Sequence, residues 1–336
     1  MKTGRYRGLL GRLLGLLVLG LWIAADFKAS LDVPLTLSGP TRLVVRKGDG
    51  IRQLANNLRQ QGLLKEPLWL ILDTLLRGEA RSLKYGEYQL EPGMTPKTLR
   101  RMLVSGRSRQ IPLTIIEGMR FKDLQALLKA HPLIRHETDT LSEPDIMQRL
   151  GESGLSPEGA FFPDTYYTSS NTSDLDLLKK ARRKMQQLLE AAWAGRASGL
   201  PYQNSYEGLI MASIIEKETG LARERAAIAG VFVRRLQQGM RLQTDPTVIF
   251  GLGPGFDGDL RKEDLRRDTP YNTYLHGGLP PTPIAFPGQA ALEAAFHPEG
   301  GNSLYFVARG DGGHVFSDTL DAHQRAVDRY QRKRLP

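Results

Sequence analysis

Cysteine is absent from all 336 residues. Its absence excludes disulfides, cysteine-ligated zinc and a thiolate nucleophile. It suits an oxidising compartment, where a stray thiol is a liability, although cytosolic chains also do without cysteine. Basic residues interleaved with aromatics are missing too, as is any nucleic-acid motif, so nucleic acid is not an expected partner. There is no HExxH, and the spacings of His276, His297, His314 and His323 match no familiar metal site. No metal is expected. The glycine-rich GLGPGFDG lacks the strand–turn–helix setting of a phosphate cradle and reads as a loop, so no cofactor is expected either. Acidic residues are the scarcer charge: Lys+Arg 46 against Asp+Glu 36 leaves +10. That balance suits an anionic membrane surface or an anionic polymer such as a cell wall.

What is present begins with MKTGRYRGLLGRLLGLLVLGLWIAADF. Lys2, Arg5, Arg7 and Arg12 precede an apolar stretch that is uninterrupted from Leu13 to Ala25. A cleaved signal peptide ends its apolar region at a small-x-small site. Here the stretch runs into Asp26, Phe27, Lys28 and Ala29, a poor cleavage site. Trp22 stands where an interfacial anchor would, and Arg12 is positioned to snorkel. The expectation is an uncleaved anchor over 1–28, its basic flank inside, with residues after about 30 facing outward. A buried core helix is the less favoured alternative, given the clustered positive charges before it.

Beyond it, 29–40 reads as a linker. A pattern then recurs. TRLVVRKGDGIRQLANNL joins a β-branched run to a Gly-Asp-Gly turn and to Ile51, Leu54, Ala55 and Leu58 at helical spacing. Asp49 is a plausible N-cap there. GEYQLEPGMTPKTLRRML repeats the pattern with Thr95 as N-cap and Pro96 at the first helical position. PLTIIEGMRFKDLQALL gives it a third time. These strand–turn–helix units imply small α+β modules. VVRKGDGIRQLANNL resembles the opening of a LysM module, a wall-glycan binder; the plain alternative is a packing or dimerisation module. GAFFPDTYY (159–167) sets aromatics at a Pro-Asp turn. It suits either a sugar groove or an aromatic loop packed on the core.

IMASIIEKETG (210–220) poses the central question. The helix expected from Glu207 to Thr219, with Ser205 as N-cap and Gly220 just past its end, is apolar on most sides and so should be buried. Yet it closes on Glu216 and Glu218, where the helix dipole disfavours a carboxylate by ~0.3–1 kcal/mol. Partial burial disfavours it further, and both effects raise a pKa. A glutamate with a raised pKa can hand a proton to a glycosidic oxygen. Two positions apart is about 200° around a helix, so the pair cannot share one site. Spacing alone does not choose between them, and an ordinary exposed pair closing a helix remains the plain alternative.

MRLQTDPTVIFGLG (240–253), TPYNTYLHGGLPPTPIAFPG (269–288) and YFVARGDGGHVFSDTLDAH (305–323), together with EGAFFPDTY and ASIIEKET, resemble the YceG-like family. The likeness runs from the N-terminal anchor to the C-terminus, with the motifs in order. It implies a membrane helix, a LysM-like α+β module over 41–110, and a larger α+β catalytic domain over 111–336 with a central buried helix. The Glu-Thr pair also echoes the Glu-Ser of soluble lytic transglycosylases, so the catalytic domain is expected to be distantly lysozyme-like. The implied activity is endolytic, non-hydrolytic cleavage of peptidoglycan between N-acetylmuramic acid and N-acetylglucosamine, leaving 1,6-anhydro ends on nascent strands. The implied partners are glycan strands and the peptidoglycan synthases (penicillin-binding proteins), and the implied location is the inner membrane with the catalytic domain in the periplasm.

By position, the family's catalytic acid is Glu218. Candidates to position substrate are Gln243, Thr244, Asp245, Tyr271, Asn272, Thr273 and Tyr274. Thr244 or Asp245 could instead cap a helix, and the Tyr-Asn-Thr-Tyr stretch could be a satisfied structural loop. Two rivals remain: a hydrolase that uses Asp245 or another carboxylate to activate water, and a wall-binding scaffold without catalysis.

Overall fold

The apolar N-terminal run folds as one helix, α1 (Thr3–Asp32). The computed structural model describes residues 3–46, 48–106, 110–132, 134–169 and 172–331, with side chains from residue 13 onward. Lys2 lies outside the described residues, as do the side chains of Arg5, Arg7 and Arg12, so the basic flank rests on the sequence alone. Within α1 the segment Leu13–Asp32 is 20 residues long and apolar enough to cross a membrane, by length and composition. Its side chains from Leu13 to Ala25 are exposed, so α1 is not a core helix of the described structure. Exposed apolar surfaces of this extent mark sites of interaction with membranes or other proteins.

The chain divides into two compact units, the first of which includes α1. The first is Met1–Ile111 with Tyr167–Asn171. Strands β1 (Thr41–Val45) and β2 (Gly86–Leu90) pair antiparallel, with Leu43 opposite Tyr88 and Val45 opposite Gly86. Alternation along the strands turns Leu43, Val45, Tyr88 and Leu90 into a shared core. Helices α2 (Ile51–Gln60), α3 (Pro67–Leu76) and α4 (Pro96–Ser105) cover it. Ile51, Leu54, Ala55 and Leu58 are buried along one face of α2, as their spacing requires.

Thr95 caps α4, accepting from the Thr98 N–H, and Pro96 follows it. Asp49 does not cap α2. Gly50 holds that position, while the Asp49 carboxylate accepts from the Arg46 N–H at 2.8 Å and closes the preceding turn. The 29–40 segment is tied down: Leu31 and Leu35 are buried, and the Leu35 N–H donates to Met94 O at 2.7 Å. Two of the three look-alike strand–turn–helix stretches therefore build one sheet, while the third helps to form another unit.

That second unit is Pro112–Tyr166 with Thr172–Pro336. β3 (Ile111–Thr114) pairs with β4 (Thr165–Thr168). Helices α5 (Phe121–Ala130) and α6 (Glu143–Arg149) lie between them in sequence. The long α7 (Asp174–Gly195), α8 (Ser205–Glu218), α9 (Arg225–Gln237), α10 (Asp245–Leu252) and α11 (Gln289–Phe296) follow. The chain ends in an antiparallel hairpin, β5 (Tyr305–Ala308) with β6 (His314–Ser317), and α12 (Leu320–Tyr330). Of the aromatic motif, Phe161, Phe162 and Tyr166 are buried, and Phe161 stacks on Phe121 at 5.5 Å and meets Phe286 edge-on at 5.8 Å. These rings are core, not the lining of a sugar groove.

Helix α8 packs against α7, α9, α10 and α11, and every residue from Gly208 to Ile215 is buried. Gly208 makes the closest approach possible, because a Cβ there would sit 2.2 Å from the Phe296 ring of α11. An exposed mid-helix Gly→Ala change ordinarily stabilises by up to ~1 kcal/mol. Here the ring is itself fully buried and cannot swing away. Gly208→Ala should therefore destabilise by roughly 1–3 kcal/mol, read as a lower urea midpoint; a midpoint raised above wild type would contradict the close packing.

Candidate active site

The C-terminal end of α8 carries both candidate acids. Asn204, not Ser205, caps its start, accepting from the Glu207 N–H at 3.0 Å. At the other end Thr219 leaves the helix extended, with φ −145° and ψ 136°, and Gly220 does not take the left-handed conformation expected of a terminating glycine. An extended exit leaves the last turn without a glycine cap, while the two-residue spacing inside the helix points Glu216 and Glu218 to different surroundings.

Glu216 does not face solvent. Its carboxylate accepts from the Gly288 N–H at 3.0 Å and lies 3.6 Å from the Arg225 guanidinium, with only 6% of the side chain exposed. Burial raises its pKa; the Gly288 hydrogen bond opposes that, and Glu117 nearby reinforces it. Both oxygens are thus engaged by the protein. Glu216 braces the end of α8 against the start of α9 and the loop before α11.

Glu218 points into a cavity of about 430 Å³, shared with Arg235, Gln243, Thr244, Asp245, Tyr274, Tyr305, His314 and His323. Its Oε1 accepts a hydrogen bond from the Thr244 hydroxyl. Burial raises its pKa to about 7; the Thr244 hydrogen bond, His314 and Arg235 oppose the shift, and Asp245 adds to it. Near neutral pH the group is therefore divided between acid and base, which is the condition for a proton donor that must be reloaded. Thr244 holds one oxygen and leaves the other for the proton.

The seven substrate-positioning candidates fall into two sets. Gln243, Thr244, Asp245 and Tyr274 line the Glu218 cavity. Gln243 adopts φ +52°, alone among the described residues other than glycine in taking a positive φ, a conformation that costs ~1–3 kcal/mol. Thr244 occupies the N-cap position of α10 but spends its hydroxyl on Glu218 rather than on the helix. Asp245 accepts from the Tyr274 hydroxyl at 2.6 Å, and burial together with that bond pushes the Tyr274 pKa up.

The remaining three have their polar atoms turned into the protein. Asn272 is fully buried; its amide donates to Leu265 O and Arg267 O at 3.1 and 2.8 Å, and its oxygen accepts from the Tyr274 N–H. The Thr273 hydroxyl accepts from the Thr244 N–H at 3.1 Å. Tyr271 packs on Phe250 at 4.7 Å and bonds Thr282. They hold the loop that carries Tyr274, and Thr273 ties the separate segment 243–244 to it at the cavity.

Sequence reasoning missed Arg235, Tyr305, Glu224 and the role of His314. His314 does not bond within its Gly-Asp-Gly-Gly turn; its Nδ1 lies 2.7 Å from Glu224 Oε2, across 90 residues. Only the glycine doublet hinted at this approach, since a Cβ on Gly313 would lie 3.0 Å from Glu224 Oε1. His323 stacks on Tyr305 at 5.2 Å, His276 pairs with Asp268 at 2.7 Å, and His297 with Glu293 at 3.0 Å. Among the described residues His136, Asp139 and Asp174 come together as possible ligands. The Asp174 carboxylate there already accepts from the N–H groups of Glu137, Thr138 and Leu175 and from the Thr138 hydroxyl, which satisfies it without a cation.

Known proteins resemble this arrangement along most of its length. The model of the YceG-like family matches residues 43–329. A Bacillus subtilis protein named endolytic murein transglycosylase is 30% identical over 307 residues, covering 85% of this chain and 83% of that protein. A Streptococcus pneumoniae protein of the same name is 26% identical over 324 residues, and the chain spans 58% of its length. A crystal structure of a yceG-like protein from Listeria monocytogenes superposes with a TM-score of 0.51 at 26% identity, covering 85% of this chain and 98% of that one.

The raised pKa of Glu218 has a thermodynamic signature. Its folded value of about 7 lies above the ordinary 4.5, so the folded state holds a proton that the unfolded state has released between those pH values. Stability is fully present below about 4.5 and is lost as pH rises toward 7. Glu218→Gln cannot ionise, so it should gain on wild type by up to about 3 kcal/mol between pH 4.5 and pH 8. Urea unfolding of both proteins across that range measures it; a constant difference would mean that Glu218 titrates normally.

Proposed function

Because the chain belongs to the YceG-like family, we propose that it is an endolytic murein lytic transglycosylase with Glu218 as its proton donor. The observation that carries this reading is the environment of Glu218: a half-buried carboxyl, tethered through one oxygen, opening on a cavity of about 430 Å³, with its pKa pushed up to about 7 by desolvation. A cavity of that size accepts sugar units, and its lining is polar and aromatic.

The chemistry follows from what one carboxyl can do. Protonated Glu218 delivers its proton to the oxygen bridging N-acetylmuramic acid and N-acetylglucosamine. The bond from that oxygen to C1 breaks, and positive charge develops at C1. The substrate's own C6 hydroxyl closes on C1, its proton passes to the Glu218 carboxylate, and a 1,6-anhydro end results. No water is activated, so a second protein carboxylate is not required, unlike in ordinary glycosidases. Positioned polar groups and the substrate's N-acetyl group stabilise the charge. In this reading Gln243, Thr244, Asp245 and Tyr274 contact the strand directly, and Tyr271, Asn272 and Thr273 keep their loop in place.

The wider assignment follows the same reading. α1 anchors the chain once in the inner membrane, and the catalytic unit faces the periplasm, where nascent strands leave the synthases. Residues 41–110 form a LysM-like wall-binding module. Their βα order and a groove of about 290 Å³ between β1 and α2, lined by Arg42, Val44, Gln53 and Asn57, support this part.

A hydrolytic alternative keeps one observation in its favour, since Asp245 lines the same cavity as Glu218. The products separate the two. Purified peptidoglycan incubated with the detergent-solubilised full chain should yield anhydro-muramoyl ends by mass spectrometry, abolished by Glu218→Gln and retained by Glu216→Gln. Reducing ends would instead make it a hydrolase. No cleavage would leave a wall-binding protein.

A further inference from the structure

The single-carboxyl scheme uses Glu218 twice and leaves without a task a second ionisable pair, Glu224 and His314, of which His314 lines the same cleft. Glu224 stands just before α9, and His314 opens β6. The Glu224 carboxylate grips His314 at two points, accepting from the backbone N–H on Oε1 at 3.2 Å and meeting ring Nδ1 on Oε2 at 2.7 Å. Both side chains are nearly buried, at 12% and 10% exposure. The Phe306 ring stands edge-on to the imidazole at 5.4 Å and fixes its plane. Gly313 makes the approach possible, as its missing Cβ leaves room for Glu224 Oε1.

This geometry determines the tautomer. Burial raises the Glu224 pKa, but the hydrogen bonds from His314 outweigh it and hold the carboxyl below its ordinary value. An ionised carboxylate can only accept, so Nδ1 carries the hydrogen. A neutral ring protonated on Nδ1 leaves a bare lone pair on Nε2. Nε2 has no hydrogen-bond partner among the described residues, and the ring lines the Glu218 cavity. A base oriented by a carboxylate behind it is the arrangement that prepares a side chain to take a hydroxyl proton.

We propose that His314, positioned by Glu224, is the base that removes the proton from the muramoyl C6 hydroxyl, while Glu218 serves as the acid. The proposal rests on the transglycosylase reading and divides its two proton transfers between two residues. The C1–O4 bond breaks, and O4 takes the proton of Glu218. O6 bonds to C1, and the O6 proton goes to Nε2 of His314. The products are an anhydro end, a free 4-hydroxyl, a Glu218 carboxylate and an imidazolium whose charge the Glu224 carboxylate balances. One proton then returns from His314 to Glu218 through solvent, and the cycle closes without any other reactant. Thr244 suits this division, since it occupies one oxygen of Glu218 and leaves the other to serve O4 alone.

The test compares the full chain in detergent with His314→Ala, His314→Gln and Glu224→Gln on purified peptidoglycan. Three quantities are read: the saturated rate of forming anhydro ends, co-sedimentation with insoluble peptidoglycan, and recovery of rate on adding imidazoles of graded basicity. If His314 is the base, His314→Ala and His314→Gln lose about 10²–10⁴-fold in rate with unchanged co-sedimentation. Glu224→Gln also loses rate, by up to about 10⁴-fold, as expected when an amide replaces the carboxylate that orients a histidine base. Added imidazole restores part of the His314→Ala rate, more so as its basicity rises, which a misfolded or merely repacked cleft would not do.

Anhydro ends formed by His314→Ala within about threefold of the wild-type rate would overturn the division of labour and leave the transglycosylase reading intact. A large loss that no imidazole relieves would overturn it as well, reducing His314 to a structural contact. Reducing ends from wild type would overturn the parent reading, and the C6 step with it.

Discussion

Desolvation of one carboxyl at the end of a buried helix is the constraint on which the second unit depends. Helix α8 is apolar over most of its surface, so it must be covered by α7, α9, α10 and α11. Its last turn then brings Glu218 up against protein on several sides while leaving a cavity in front of it. A carboxylate in such a place lacks the water that would stabilise its charge, and its pKa rises. The same burial that holds the unit together thus prepares its acid.

The two glutamates show how a single turn of helix separates structural from chemical work. Glu216 has both oxygens engaged, by the Gly288 N–H and the Arg225 guanidinium, and so has none to offer a substrate. Glu218 has one oxygen held by a hydroxyl and the other toward the cavity. Both carboxyls are raised by burial, so pKa alone would not tell them apart. What differs is the number of donors each finds.

The loops around the cavity are built on the same economy of polar atoms. Asn272 and Thr273 satisfy buried backbone groups, so that Tyr274 and Thr244 arrive at the cavity with their hydroxyls directed at Asp245 and Glu218. The positive φ of Gln243 sits in this same stretch. Buried polar networks of this kind are stable only when nearly every member is paired. Here the pairing leaves open the few groups that face the cleft.

Much of the local structure could be read directly from the chain. The period of Ile51, Leu54, Ala55 and Leu58 places one face of α2 inward, Thr95 followed by Pro96 starts α4, and the apolar run from Leu13 makes a helix with no polar face to bury. These follow from spacing and capping, which act over a few residues. The oddity of two acids closing an apolar helix was legible in the same way, as was their divergence around it. Which acid meets a cavity was not legible, because it depends on Arg225, Gly288 and Thr244, brought in from other elements. The caps differed from expectation because Asp49 spends its carboxylate on the Arg46 N–H of the preceding turn, and because Asn204 takes the cap of α8 in place of Ser205. The pairing of Glu224 with His314 lay furthest from view, since nothing in either stretch requires the other. Local pattern determined the elements and marked the unusual one; only tertiary packing decided which polar groups would lose water, find partners or remain free, because desolvation and hydrogen bonding across 90 residues of chain are properties of the assembled fold.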